Sequence, residues 1–388
     1  MRPMNGKDCF EVWEFWRGGR RCIPFAELME FWLYHPECGY YRTAEALGRG
    51  GDFFTASHVG RGYGASWAYA VARSLPQRFG VRPPEVFVEI GAGDGRFLET
   101  VLRTWARLIP NEDLPSFAFA VEGNPHFRRR LEDRLSALPE AGAKTRAEVF
   151  SDVGELPDLH GKRVWVFAHE LLDAFPAERV LRREGKFFRF QWCVSKTFVR
   201  GGRVVFTEEP GEPVFLFPEE KQALEVLEEG SVGEVPLGLP RWLSELRRRI
   251  SPELLYFVDY GREGKSPWPR EGTLRAYAAH QIVDPKRCVP GTCDLTYDVP
   301  WEYVRVAARR AGFVSVSLSP LGTWLVRTLG EKGMEELAAL FPARESHALL
   351  RSLAYLVHPE GMGERFAVLV LAPAKGSERV DSSLFGEY

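Results

Sequence analysis

Val86-Phe-Val-Glu89-Ile-Gly91-Ala92-Gly93-Asp94-Gly95 is the stretch that decides how this chain folds. The apolar run Val86 to Ile90 reads as a buried parallel strand, and it leads straight into three alternating glycines. Gly91, Gly93 and Gly95 let the chain turn tightly and bring bare backbone, with the small Ala92 between them, against a ligand before a helix starts near Arg96. A dinucleotide fingerprint requires glycine three positions after Gly93, and Arg96 stands there instead. The competing reading is a plain strand-to-helix loop.

Working outward, a helix at about 96–109 carries Phe97, Leu98, Val101, Leu102 and Trp105 at helical period, and the next apolar run, Phe117 to Val121, closes on Glu122. A carboxylate there can accept hydrogen bonds from two ribose hydroxyls, each charge-assisted bond contributing roughly 1.5–3 kcal/mol. The bland alternative is a solvated strand-end glutamate. A third run, Ala147 to Phe150, ends at Ser151-Asp152, placed to sit beside a base. Open α/β sheets bind ligands at this carboxyl edge.

Four parts follow from the pattern. Residues 1–60 read as an N-terminal helical and lid segment with a glycine-rich loop, Leu47 to Thr55. Residues 61–186 alternate strands and helices as a parallel sheet does, and 187–250 read as an insertion made of a hairpin, Phe187 to Val194 with Arg203 to Thr207, and a charged helix. Residues 251–388 resume the sheet with strands at Leu254 to Asp259, 313–318 and Phe366 to Leu371 and a helical stretch at 332–356. The fold class is thus α/β, a Rossmann-like sheet of seven strands whose last is inserted antiparallel.

With 388 residues, 45% of them hydrophobic, there is ample core for an enzyme. Fifty-one basic and 53 acidic residues leave a formal charge of −2, which argues against a nucleic-acid binder. The six cysteines, at 9, 22, 38, 193, 288 and 293, lack zinc spacing, so no metal is expected; free thiols in a reducing, cytoplasmic setting are. The first thirty residues, with Asp8, Glu11 and Glu14, fit neither a signal nor a transit peptide. No apolar run approaches the roughly 20 residues that span a bilayer, so membrane insertion is not expected.

The spacing Glu89-x-Gly91-x-Gly93-x-Gly95 resembles motif I of class I S-adenosylmethionine-dependent methyltransferases. That resemblance implies S-adenosylmethionine as cofactor, held by Glu89, the glycine turn, Glu122 on the ribose and Asp152 near the adenine. In such enzymes the end of the fourth strand faces the methyl acceptor, and here it reads His169-Glu170-Leu-Leu-Asp173-Ala-Phe-Pro176, with Glu178 beyond. A methyl sulfonium needs little activation, so the protein must mainly position a nucleophile, an effect worth roughly 7–11 kcal/mol in favourable cases. A carboxylate pair, Glu170 with Glu178 or Asp173, can fix a guanidinium by bidentate bonds. The opposing reading makes these residues helix-start caps.

Further motifs narrow the resemblance. Pro36-Glu-Cys-Gly39-Tyr40-Tyr41, Gly51-Asp52-Phe53-Phe54-Thr55, the glycine turn, the His169–Pro176 segment, Val258-Asp259-Tyr260-Gly261, Gly272-Thr273-Leu274-Arg275 and Pro290-Gly-Thr-Cys-Asp294-Leu295-Thr296 together resemble the MidA family. Membership would imply methylation of a protein arginine, in mitochondria on a subunit of NADH dehydrogenase (respiratory complex I), and so a protein substrate, with a homodimer as the self-association to test. Asp52 and Thr55 would be polar contacts on a lid over the cofactor; the alternative is a solvated loop. Arg275 is read first as a structural ion pair and Asp298 as a helix cap. The chain departs from the family where Thr55-Ala-Ser-His58-Val and Tyr63-Gly-Ala65 lack two acids, where His169 replaces Asn, and where Glu178 replaces His. Two other classes therefore stand beside it, a non-catalytic cofactor-binding assembly protein and a small-molecule methyltransferase.

Overall fold

The computed structural model describes residues 6–43, 59–76, 80–108, 114–138, 145–198, 203–261, 268–278 and 281–374. Asp52, Thr55 and His58 lie outside them. The chain divides into two units, each assembled from separate stretches: Met1–Phe53, Leu172–Trp242 and Gly264–Ala307 form one, and Phe54–Leu171, Leu243–Glu263 and Ala308–Tyr388 the other.

The second of these holds the seven-stranded sheet. Its strands, in chain order, are β1 (Val86–Ile90), β2 (Phe117–Val121), β3 (Arg146–Phe150), β4 (Val164–His169), β5 (Leu254–Tyr260), β6 (Phe313–Pro320) and β7 (Phe366–Pro373). Their order across the sheet is β3-β2-β1-β4-β5-β7-β6. The five from β3 to β5 are parallel, while β7 runs antiparallel between β5 and β6. This is the expected sheet with its last strand inserted. All five residues of β1 are buried, as a central strand covered on both faces requires. The helix Arg96–Leu108 buries Phe97, Leu98, Val101, Leu102, Trp105 and Leu108 on one stripe, and the Trp105 indole N–H donates to the Ala68 carbonyl at 2.9 Å. Each such buried side chain contributes roughly 1.5–3 kcal/mol. The helical stretch expected at 332–356 is made of two helices, Leu321–Ala339 and Ala343–Val357, separated at Pro342.

The first unit carries its own sheets. A hairpin of Lys186–Phe198 and Arg203–Pro213 is longer than the pattern indicated, because strand pairing continues past Thr207 through Glu208 to Pro213, a run without apolar alternation to signal it. The strand Lys186–Phe198 also pairs with Cys22–Pro24 and with Glu178–Arg183, which in turn pairs with Val232–Val235. A three-stranded sheet joins Arg275–Ala278 to Gln281–Val283 and Asp294–Thr296. The segment 187–250 is thus not a body of its own: pairing between strands far apart in sequence ties its hairpin to the N-terminal residues, which a linear division into parts does not detect. The core is built on Trp13, Phe25, Met29, Trp32, Trp192 and Phe206.

One sequence expectation fails outright. Cys22 and Cys193 are not free thiols but a disulfide, because the strand register sets them directly opposite each other, Cα to Cα 4.0 Å, across a separation of 171 residues. The bond also involves the one place, among the described residues, where three metal-ligand side chains converge, Cys22, Cys193 and Glu209. There the two sulfurs are spent on each other. No helix among the described residues is long and apolar enough to cross a membrane.

Candidate functional site

The carboxyl edge of the seven-stranded sheet gathers most of the expected residues. At the end of β1, Gly91, Gly93 and Gly95 adopt φ of 77°, 56° and 81°, the left-handed region that glycine enters without strain. The N–H groups of Gly91 and Ala92 donate to the Val121 carbonyl at 2.9 and 3.1 Å, and that of Gly95 to the Ala92 carbonyl at 3.1 Å. Gly93 donates to a Glu122 carboxylate oxygen at 2.7 Å. A side chain at Gly95 would meet Leu131, with a Cβ only 2.4 Å from its Cδ1, so the turn also lets the helix Pro125–Ser136 pack close.

Glu122 is oriented from two sides, since its other oxygen accepts from the Asn124 N–H at 2.7 Å. Asn124 was not singled out from sequence. It is buried and its side-chain oxygen caps the helix that begins at Pro125, accepting from His126 and Phe127 at 2.8 and 3.2 Å. The signal was present in Asn124-Pro125, an N-cap residue followed by proline at the first helical position. Asp152 lies at the end of β3 as expected and is exposed; its carboxylate accepts from the Gly154 N–H at 2.7 Å and starts a short 3-10 turn.

Glu89 is 3% exposed, and one of its carboxylate oxygens has no hydrogen-bond partner. Burial, then the nearby charges of Glu122 and Asp94, push its carboxyl well above the usual carboxylate range. Asp94 itself is bound by Arg96 and Arg134 at 2.8 and 3.1 Å. These features test the cofactor. The N–H groups of Gly91, Ala92, Gly93 and Gly95 are spent within the protein and the turn's rim is acidic, which is unsuited to a pyrophosphate. An orphaned buried carboxylate oxygen and a fixed second carboxylate suit a ligand that brings positive charge and hydroxyl donors, so the residues fit S-adenosylmethionine.

Because Glu89 holds a proton in the folded chain that an unfolded chain releases near pH 4.5, folding stability falls as pH rises from there through the raised value. Glu89→Gln removes that loss. The ligand-free variant is expected to melt a few degrees above the parent at pH 8 with the gap closing toward pH 4, while its affinity for S-adenosylmethionine drops about tenfold. Thermal melts across pH and calorimetric titration check both; equal melting curves at pH 8 would refute the assignment.

At the end of β4 the chain does something the sequence does not announce. Glu170 takes φ of 49°, a left-handed conformation rare for a residue with a Cβ. Its N–H donates to the Val258 carbonyl at 2.9 Å, and the Tyr260 hydroxyl at the end of β5 reaches to 3.5 Å from its carboxylate. His169 ends β4 with its Nδ1 2.5 Å from the Tyr63 hydroxyl, and its Nε2 is sealed from solvent without a hydrogen-bond partner. Burial lowers its pKa to about 3, so the imidazole is neutral. A base is the wrong role for it. Asp173 and Glu178 belong to the other unit. Asp173 is 4% exposed, and Glu178 sits in the strand Glu178–Arg183 with Arg189 at 3.5 Å, its carboxyl raised by burial. In that unit too, Arg275 pairs with Asp298 at 2.7 Å, the ion pair expected of Arg275, where Asp298 was expected as a helix cap.

Three comparisons with known proteins bear on this site. The Methyltransf_28 family profile, described as Putative S-adenosyl-L-methionine-dependent methyltransferase, matches residues 65–318. Among curated proteins the chain is similar to the mitochondrial protein arginine methyltransferase NDUFAF7 homolog of Drosophila melanogaster, 27% identical over 92% of this chain and 83% of that protein. It is also similar to the mitochondrial protein arginine methyltransferase NDUFAF7 of Danio rerio (25% identical, 92% and 85% covered) and of Homo sapiens (24%, 90% and 80%). Among solved structures it shares the fold of a Burkholderia thailandensis protein bound to S-adenosyl-homocysteine, with a TM-score of 0.76, 23% identity and 95% and 92% of the two chains covered.

Proposed function

The chain belongs to this family of S-adenosyl-L-methionine-dependent methyltransferases, and from that premise we propose that it methylates an arginine side chain of a protein, a subunit of respiratory complex I being the expected target. The observation that carries the reading is Glu170. Its carboxylate is held at the carboxyl edge of β4 by a left-handed backbone and lies beside Tyr260. The buried phenol of Tyr63 lies in the field of Glu170 and Asp259, so the edge concentrates negative charge where β4 and β5 end. A guanidinium is the planar cation that such carboxylates fix by paired N–H donors. The curated relatives named above are themselves called protein arginine methyltransferases, which supports the same acceptor.

Bound S-adenosylmethionine supplies an electrophilic methyl group. The protein's part is positional: Glu122 and Glu89 hold the cofactor, and Glu170 accepts N–H bonds from the guanidinium so that one of its nitrogens faces the methyl carbon. The proposal includes a cytoplasmic location. The Cys22–Cys193 bond makes that a sharp question, since the cytosol of mesophiles keeps thiols reduced; trapping thiols at cell lysis and fractionating the cell answers it.

The deciding experiment transfers radiolabelled methyl from S-adenosylmethionine into a lysate of the source organism, with Gly93→Arg, which blocks the turn, as control. Label in a discrete protein band, absent with the control and recovered as methylarginine, is the expected result. Label confined to small molecules would sink the arginine reading and leave a metabolite acceptor in its place.

A further inference from the structure

Tyr63 belongs to the helix Arg61–Tyr69, which precedes β1, yet its hydroxyl meets the last residue of β4, 106 positions further along. The contact is largely enclosed: Tyr63 is 1% exposed, and the half-buried imidazole of His169 packs against Phe97 at 4.3 Å, Tyr63 at 5.1 Å and Trp67 and Phe167 at 6.1 Å. Of the two ring nitrogens only Nδ1 has a polar partner. A neutral imidazole carries one proton, and which nitrogen holds it is set by the bond the other makes. Burial, and the carboxylates of Glu170 and Asp259, push the Tyr63 phenol well above its usual range, so it keeps its proton and donates. Nδ1 accepts, and the N–H lies at Nε2 among aromatic rings.

The next residue in the chain is Glu170, with its left-handed φ of 49°. Backbone of this kind persists only where its surroundings over-determine it. From one side it is tied by the Val258 carbonyl. We propose that Tyr63 is a positioning residue, whose hydrogen bond clamps His169 and through it holds the turn that aims the Glu170 carboxylate. His169 is then a strut rather than an acid or base. His169, which replaces the family's Asn, thus has Tyr63 as its partner. This inference rests on the reading of Glu170 as the acceptor-binding carboxylate.

Two measurements test it. Long-range proton–nitrogen NMR of the histidine-labelled native protein, with His169 assigned by loss of its signal in His169→Asn, should show an unprotonated Nδ1 and a protonated Nε2 that do not change between pH 5.5 and 8.5. The opposite tautomer, or an imidazolium within that range, would overturn the clamp without any variant of Tyr63 having to fold. Tyr63→Phe keeps the ring but leaves Nδ1 without a donor; turnover should fall about 10- to 100-fold, with affinity for S-adenosyl-homocysteine and KM for the acceptor within about twofold. In a Glu170→Gln background the same substitution should add almost nothing, because both act on one element. Loss of melting temperature with unchanged turnover, or full additivity, would reduce the hydrogen bond to a packing feature. Full turnover in Glu170→Gln alone, with the Nε2–H form intact, would place the failure in the reading of Glu170 and not in the clamp.

Discussion

Glu170→Gln is expected to lower turnover about 100- to 1,000-fold while leaving the affinity for S-adenosyl-homocysteine within about twofold. The amide keeps the size of the side chain and its place beside Tyr260. What it loses is the charge that makes hydrogen bonds from a guanidinium roughly twice as strong as neutral ones, and one acceptor oxygen of a bidentate pair. Removing both weakens the hold on the acceptor at the moment when its nitrogen must face the methyl carbon, and small misplacements there are costly in rate. Single-turnover methylation with saturating cofactor, together with calorimetric titration of S-adenosyl-homocysteine, separates the two effects. A drop in cofactor affinity with an unaltered rate would move Glu170 from the acceptor side to the cofactor side.

The second large effect concerns Glu122. Glu122→Ala should weaken S-adenosylmethionine binding about 100-fold or more, as two charge-assisted bonds of roughly 1.5–3 kcal/mol each are lost. Stability should fall as well, by about 1–3 kcal/mol, because the N–H groups of Gly93 and Asn124 lose their acceptor. Glu122→Gln is the intermediate case, since its single side-chain oxygen can still accept from one of the two N–H groups while its amide nitrogen faces the other. Titration calorimetry beside thermal melts gives the two numbers. If Glu122→Ala binds the cofactor within threefold of the parent, the ribose is held elsewhere.

What was legible in the sequence, and what was not, follows from the range of the interactions involved. Val86–Ile90 and Phe117–Val121 are apolar runs with an acid at the end, and both became central strands with Glu89 and Glu122 at the carboxyl edge. The parallel core of the sheet was readable because burial of such strands on both faces leaves a continuous hydrophobic signature. The conformation of Glu170 was not readable, as it depends on Val258, Tyr260 and surroundings brought from other strands. Asp173 follows Glu170 by three residues and belongs to the other unit, which the chain enters at Leu172. Glu178 then enters a strand whose partner, Val232–Val235, is far along the sequence. Arg275 was read correctly as a structural ion pair, because a half-buried charge usually finds an opposite one; its partner Asp298 was read as a helix cap instead.

The bond between Cys22 and Cys193 makes a covalent ring of every residue between them, β1 to β4 and the whole glycine turn included. A protease that cuts once anywhere inside that ring opens it without releasing a fragment. Nicked protein would therefore migrate as a single species until a reductant is added, and only then as two. Fragments of the nucleotide-binding half would stay tethered to the rest of the chain and available to re-form the sheet.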